Sequence, residues 1–127
     1  MKMDSELLLE ISNLKARYGD VEALKSIELR VKKGEITCLL GKNGMGKSTI
    51  VKCVCGMLKT MTGQINFKGN DIVGLQSYKI ARLGVGLVPE GRRIFTSLSV
   101  QENLIGSARK GYWCLKKIFD LFPILGE

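Results

Sequence analysis

Residues 41–48 read Gly41-Lys42-Asn43-Gly44-Met45-Gly46-Lys47-Ser48 and fit the spacing G-x-x-x-x-G-K-[ST]. Few short stretches limit a fold so strongly. Glycines admit backbone angles that side chains forbid, and they leave amides bare. Successive bare N–H groups converge on one point and form a concavity for an anion. A helix starting directly after the loop adds its unpaired N-terminal donors and the positive end of its dipole. The context fits, because Ile36-Thr37-Cys38-Leu39-Leu40 precedes the loop as a short apolar run of strand formers. After it, Ile50, Val51, Val54, Cys55 and Leu58 recur at helical spacing. Such a loop is built to hold a polyphosphate. Lys47 reaches its outer phosphates, and the Ser48 hydroxyl is placed to ligate a Mg²⁺ shared between them.

The remaining pattern gives an α/β chain with a β-rich N-terminal part. Leu7 to Leu14 reads as a strand followed by a turn, and Ile27, Leu29 and Val31 alternate with Glu28 and Arg30 as in a strand with one wet face. Lys32 to Glu35 forms a turn, and the segment Lys59 to Gly63 reads as another, after Gly56 ends the loop helix. Gln64 to Gly69 and Val85 to Pro89 carry strand signals. Ser77 to Gly84 reads as a short helix with Ser77 as N-cap. Ser99 with Glu102 three residues on is a capping-box pattern. A last amphipathic helix runs through Trp113, Ile118, Leu121 and Phe122.

Composition excludes several classes. The 127 residues suffice for one modest domain, 1–127, and no apolar run approaches the roughly 18 residues of a membrane-spanning helix. Cys38, Cys53, Cys55 and Cys114 are read as small buried apolar residues of a reducing, intracellular compartment. Cys53 and Cys55 lie two apart on a helix and point to different sides, which argues against a shared metal. The net charge is +8, but the lysines are scattered. Without a basic stripe or stacking aromatics, no nucleic-acid partner is expected.

The stretch LKARYGDVEALKSIELRVKKGEITCLLGKNGMGKSTI resembles the opening of the ATP-binding subunits of ABC transporters along its whole length. GMLKTMTGQINFKGNDIVGL is similar to the family's segment after the loop helix, and GVGLVPEGRRIFTSLSVQENL to its Q-loop region. The resemblance implies a P-loop NTPase fold, an incomplete ABC ATP-binding domain with a mixed sheet flanked by helices. It implies ATP and Mg²⁺, and nucleotide contacts at Tyr18, Gly41, Asn43, Gly44, Gly46, Lys47, Ser48 and Thr49. Tyr18 stands where the family stacks an aromatic ring on adenine. Glu90 stands where the family usually has the Q-loop glutamine, which gives it a catalytic position and makes it a metal ligand beside Ser48. VPEGRRIF is similar to the branched-chain amino-acid importer branch, with Arg92 and Arg93 solvated or set against a partner subunit.

The resemblance covers only the front of a family domain. LIGSA (104–108) lacks the glycine pair of the family signature, Lys116 to Asp120 is too polar for a Walker B strand, and there is no histidine for the switch position. Those parts help hold Mg²⁺ and polarise the attacking water. The expectation is a truncated chain that binds nucleotide without hydrolysing it and leaves a sheet edge exposed. The implied partners are membrane-spanning permease subunits and a second ATP-binding subunit, at the inner face of the cell membrane. The alternative is a non-catalytic nucleotide-binding regulatory module.

Overall fold

The computed structural model describes residues 6–91 and 93–126, which fall into two compact units divided after Leu87. Arg92 therefore lies outside the described residues.

In the first unit, β1 (Leu7–Tyr18) and β2 (Val21–Lys32) form a long hairpin closed by Gly19 and Asp20. β3 (Met61–Phe67) pairs antiparallel with the other edge of β1, and the two-residue β4 (Asn70–Asp71) pairs with β3, giving the order β2-β1-β3-β4. Strand β1 thus runs four residues past the expected stop at Leu14. Strand β3 begins at Met61, inside the segment read as a turn. Both corrections have one cause. Lys15, Ala16 and Arg17 find partners on β2, and Lys15 and Ala16 also pair with Thr62 and Met61. Pairing on both edges overrides weak local preference.

A bulge in β1 decides which side chains face inward. Asn13 sits at φ 50°, and the register of β1 shifts there against both neighbours. Its amide donates to Glu28 Oε1 (2.6 Å), and Ser26 Oγ donates to Asn13 Oδ1 (3.2 Å). Across from it, Gly63 comes so near the Asn13 carbonyl that a Cβ would lie 2.5 Å from that oxygen. Ile11 faces the core before the bulge; Leu14 and Ala16 face it after. The inserted residue flips the alternation, which is what a bulge does.

Under this face lies α1 (Lys47–Val54), which buries Ile50 and Cys53 against a core completed by Leu24, Ile65, Phe67, Ile72 and Ile80. Val51, expected on the apolar stripe, faces outward. α2 (Ser77–Leu83) buries Ile80 and ends at Gly84, as expected, but its N-cap is Gln76. Ser77 is the first helical residue, and its hydroxyl donates to the Gly56 carbonyl at 3.1 Å.

Two expected strands do not form. Residues 36–40 and 85–89 belong to no ladder, with Ile36 95%, Leu40 93% and Val88 94% exposed. A strand meant to be buried on both faces needs hydrogen-bonded neighbours, and no described segment supplies one. Every pairing among the described residues is antiparallel, so the parallel part of the expected mixed sheet is not seen there. The cysteine reading divides: Cys53 is buried, Cys55 is partly buried, but Cys38 and Cys114 are exposed. Burial pushes the Cys53 and Cys55 thiols above their ordinary value.

The second unit holds α3 (Val100–Gly106), α4 (Leu115–Leu121) and a 3₁₀ turn at Pro123–Gly126. Trp113 precedes α4 and stacks edge-on against Tyr112. The capping box forms as expected: Ser99 Oγ accepts from the Glu102 amide, and Glu102 Oε2 accepts from the Ser99 amide at 2.8 Å. The Ser99 amide first, and the Ser99 hydroxyl second, which also donates to Glu102 Oε2 (2.8 Å), hold the Glu102 carboxyl below its ordinary value of 4.5. A carboxyl lowered in the folded state contributes stability that is complete above its unfolded pKa and is lost as pH falls through the folded one. Helix α3 should therefore fray from its N-terminus on acidification. An NMR titration of the Ser99 amide measures it; a midpoint at or above the ordinary glutamate value would contradict the cap's electrostatic part.

Candidate nucleotide site

The loop between residues 41 and 46 is curled, not extended. Gly44 (φ 83°) and Gly46 (φ 82°) adopt left-handed backbone angles, and Gly46 is the N-cap of α1. Their roles differ. A Cβ on Gly44 would meet nothing within 4 Å, so that face of the loop is open. A Cβ on Gly46 would lie 2.5 Å from Leu24 Cδ2 and 3.0 Å from the Ala23 carbonyl oxygen. Gly46 is thus where the loop is pressed against β2, and the missing side chain permits that contact.

Lys47 closes the loop. Its Nζ donates to the carbonyls of Gly41 (2.6 Å) and Lys42 (2.7 Å). An ammonium has three donors, so one is left for a ligand. Inside the loop, the Met45 amide bonds the Lys42 carbonyl (3.3 Å), and the Ile50 amide bonds Gly46 (3.0 Å) to start the helix. The amides of Gly44, Gly46, Lys47, Ser48 and Thr49 have no acceptor among the described residues. Such groups at a helix start require an external partner, and an anion is the natural one. Ser48 is exposed there, with its hydroxyl available to a metal; Asn43 is exposed in the turn. Thr49 turns its side chain into the core, so only its amide faces the loop.

Tyr18 ends β1 on the core side, because the Asn13 bulge has flipped the alternation. It is 43% exposed, and Lys52 Nζ lies 5.5 Å from its ring centroid. That contact places the tyrosine against α1, the helix that carries Lys47 and Ser48. Arg17 Nη2 donates to the Asp20 carbonyl (3.1 Å) and braces the turn behind it. Lys52 was missed in the sequence, although it is four residues after Ser48 and so shares that helix face. Glu90 and Arg93 are exposed loop residues of the 88–127 unit. Among the described residues no group of three or more His, Cys, Asp or Glu side chains could hold a metal.

A curled glycine loop on a helix start, a lysine across it and an aromatic ring beside the same helix define a P-loop nucleotide-binding protein. Residues 24–125 match the sequence profile of the ABC transporter family, to which this chain belongs. BraG of Pseudomonas aeruginosa, a high-affinity branched-chain amino acid transport ATP-binding protein, is 40% identical over 128 aligned residues, which cover 94% of this chain and 54% of BraG. BraF from the same organism, also a high-affinity branched-chain amino acid transport ATP-binding protein, is 35% identical over 101 residues, 80% of this chain and 40% of BraF. A nucleotide-free ATP-binding cassette from an ABC transporter superposes with a TM-score of 0.67 at 29% identity, over 90% of this chain and 46% of that one. The chain spans about half the length of the curated relatives it matches.

Proposed function

We propose that this chain is the nucleotide-holding portion of the ATP-binding subunit of an ABC importer, with branched-chain amino acids as the solute. The observation that carries the nucleotide reading is the Lys47 ammonium clasped to the Gly41 and Lys42 carbonyls beside five amides that have no acceptor among the described residues. Gly41, Asn43, Gly44, Gly46, Lys47, Ser48 and the Thr49 amide hold the triphosphate, and Tyr18 stacks on the base. The similarity to BraG and BraF supports the choice of solute.

Bound Mg²⁺ would neutralise charge shared between the outer phosphates. The Ser48 hydroxyl suits it, being exposed at the helix start, and Glu90 is the second candidate ligand, at the catalytic Q-loop position. Permease subunits and a second ATP-binding subunit are the partners, at the cytoplasmic face of the membrane. No described helix is long and apolar enough to cross one. The non-catalytic nucleotide-binding regulatory module is the second reading, and binding without turnover is what it predicts.

The test combines binding with turnover. The chain should bind ATP in calorimetry and release no measurable phosphate from Mg²⁺-ATP. Tyr18→Leu should weaken ATP by about tenfold, as expected for one lost base–aromatic stack, while leaving inorganic triphosphate unchanged. Equal loss for both ligands would remove Tyr18 from the base site. Sustained phosphate release would overturn the binding-only reading.

A further inference from the structure

The two ends of the β1–β2 hairpin treat charge differently. At one end opposite charges are matched across the strands. Glu10 faces Arg30 and pairs with it at 2.9 Å, and Glu6 pairs with Lys33 at 3.2 Å. At the other end cations accumulate. Lys15 stands directly opposite Lys25 on β2 and opposite Thr62 on β3. Like charges in facing positions destabilise a strand pair. Arg17 faces Glu22 in the register, yet its guanidinium bonds the Asp20 carbonyl instead of that carboxylate. Lys15 and Lys59 make no ion pair with any described residue.

These side chains line a groove. Lys15, Arg17, Glu22, Lys59, Thr60 and Thr62, together with the apolar Met61, bound a concavity of about 400 Å³. Its floor is paired backbone. The Arg17 amide donates to the Thr60 carbonyl (3.0 Å), and the Thr60 hydroxyl donates to the Arg17 carbonyl. Because Ala16 points into the core, Lys15 and Arg17 point to the opposite face of β1, away from Tyr18 and the P-loop helix. The groove is therefore separate from the nucleotide site.

We propose that this groove is a second anion site, taking a small free diphosphate-class anion on Lys15, Arg17 and Lys59, with the Thr62 hydroxyl as a further donor. Three cations around one carboxylate leave an excess positive charge that such an anion neutralises. Arginine and lysine are the side chains that hold phosphate through charge-assisted hydrogen bonds. A concavity of that volume fits a small ligand, not a flat membrane surface.

The test removes the P-loop first. In a Lys47→Ala background, inorganic pyrophosphate should still bind with one-to-one stoichiometry in calorimetry, more weakly as salt rises. Adding K15E and K59E should weaken it by about tenfold or more. Adding K32E and K79E instead removes equal charge elsewhere and should change it by less than about threefold. Circular dichroism checks that each variant folds, with K15Q and K59Q replacing the reversals if they do not. No pyrophosphate binding in the Lys47→Ala background overturns the proposal. So does equal weakening by both charge pairs, and so does capture by phosphatidylglycerol vesicles without binding of pyrophosphate.

Discussion

Lys47→Ala should lower ATP affinity by roughly ten- to hundredfold while barely moving the melting temperature. The ammonium contributes a charge-assisted hydrogen bond to the outer phosphates, and such bonds contribute about 1.5–3 kcal/mol each. Its two present bonds go to the carbonyls of Gly41 and Lys42, in an exposed loop where water replaces it when the side chain is cut. Binding and stability should therefore separate. Calorimetric titration with ATP and thermal denaturation of the same sample check both. ATP affinity unchanged within a factor of about two would mean that the loop does not hold the triphosphate.

Gly46→Ala should act mainly on the fold. Alanine at φ 82° incurs a left-handed backbone cost of about 1–2 kcal/mol. Its methyl group would also meet Leu24 Cδ2 at 2.5 Å and the Ala23 carbonyl oxygen at 3.0 Å. The leucine can shift; the backbone carbonyl, fixed in β2, gives way only if the loop lifts from the strand. Overpacking of this kind costs about 1–3 kcal/mol. Together these would remove about 2–5 kcal/mol, a large share of the total stability of a domain. Gly44→Ala is the contrast. It has the same backbone strain but no clash, so its stability loss should stop at about 1–2 kcal/mol. Its methyl group would project into the open side of the loop, the side proposed for the phosphates, so it should impair ATP binding more than folding. Chemical denaturation of the two variants, read by circular dichroism, measures the difference. Equal stability losses would show that Gly46 is not pressed against β2.

Local chemistry made the loop legible before any coordinates. The glycines, Lys47 and Ser48 act within eight consecutive residues, so spacing carries nearly all the information. The same holds for the Ser99–Glu102 cap, which closes within one helical turn, and for the alternating face of β2. The misreadings share a different character. Residues 36–40 and 85–89 have strand composition, but a strand exists only when another segment bonds to it, and composition names no partner. The length of β1 past Leu14 was hidden for the converse reason: Lys15 and Arg17 look like loop residues until β2 and β3 pair with them.

Sequence alone determined the curled glycine loop and the helix that starts from it, because these need only backbone angles and side chains that adjacent residues supply. Tertiary structure decided where Tyr18 points. One left-handed residue at Asn13, with Gly63 making room across the sheet, reverses the alternation of β1 and sends Tyr18 toward α1 and Lys15 and Arg17 to the other face. A period-two pattern cannot reveal that reversal, since the bulge is set by pairing between strands some fifteen and fifty residues apart along the chain.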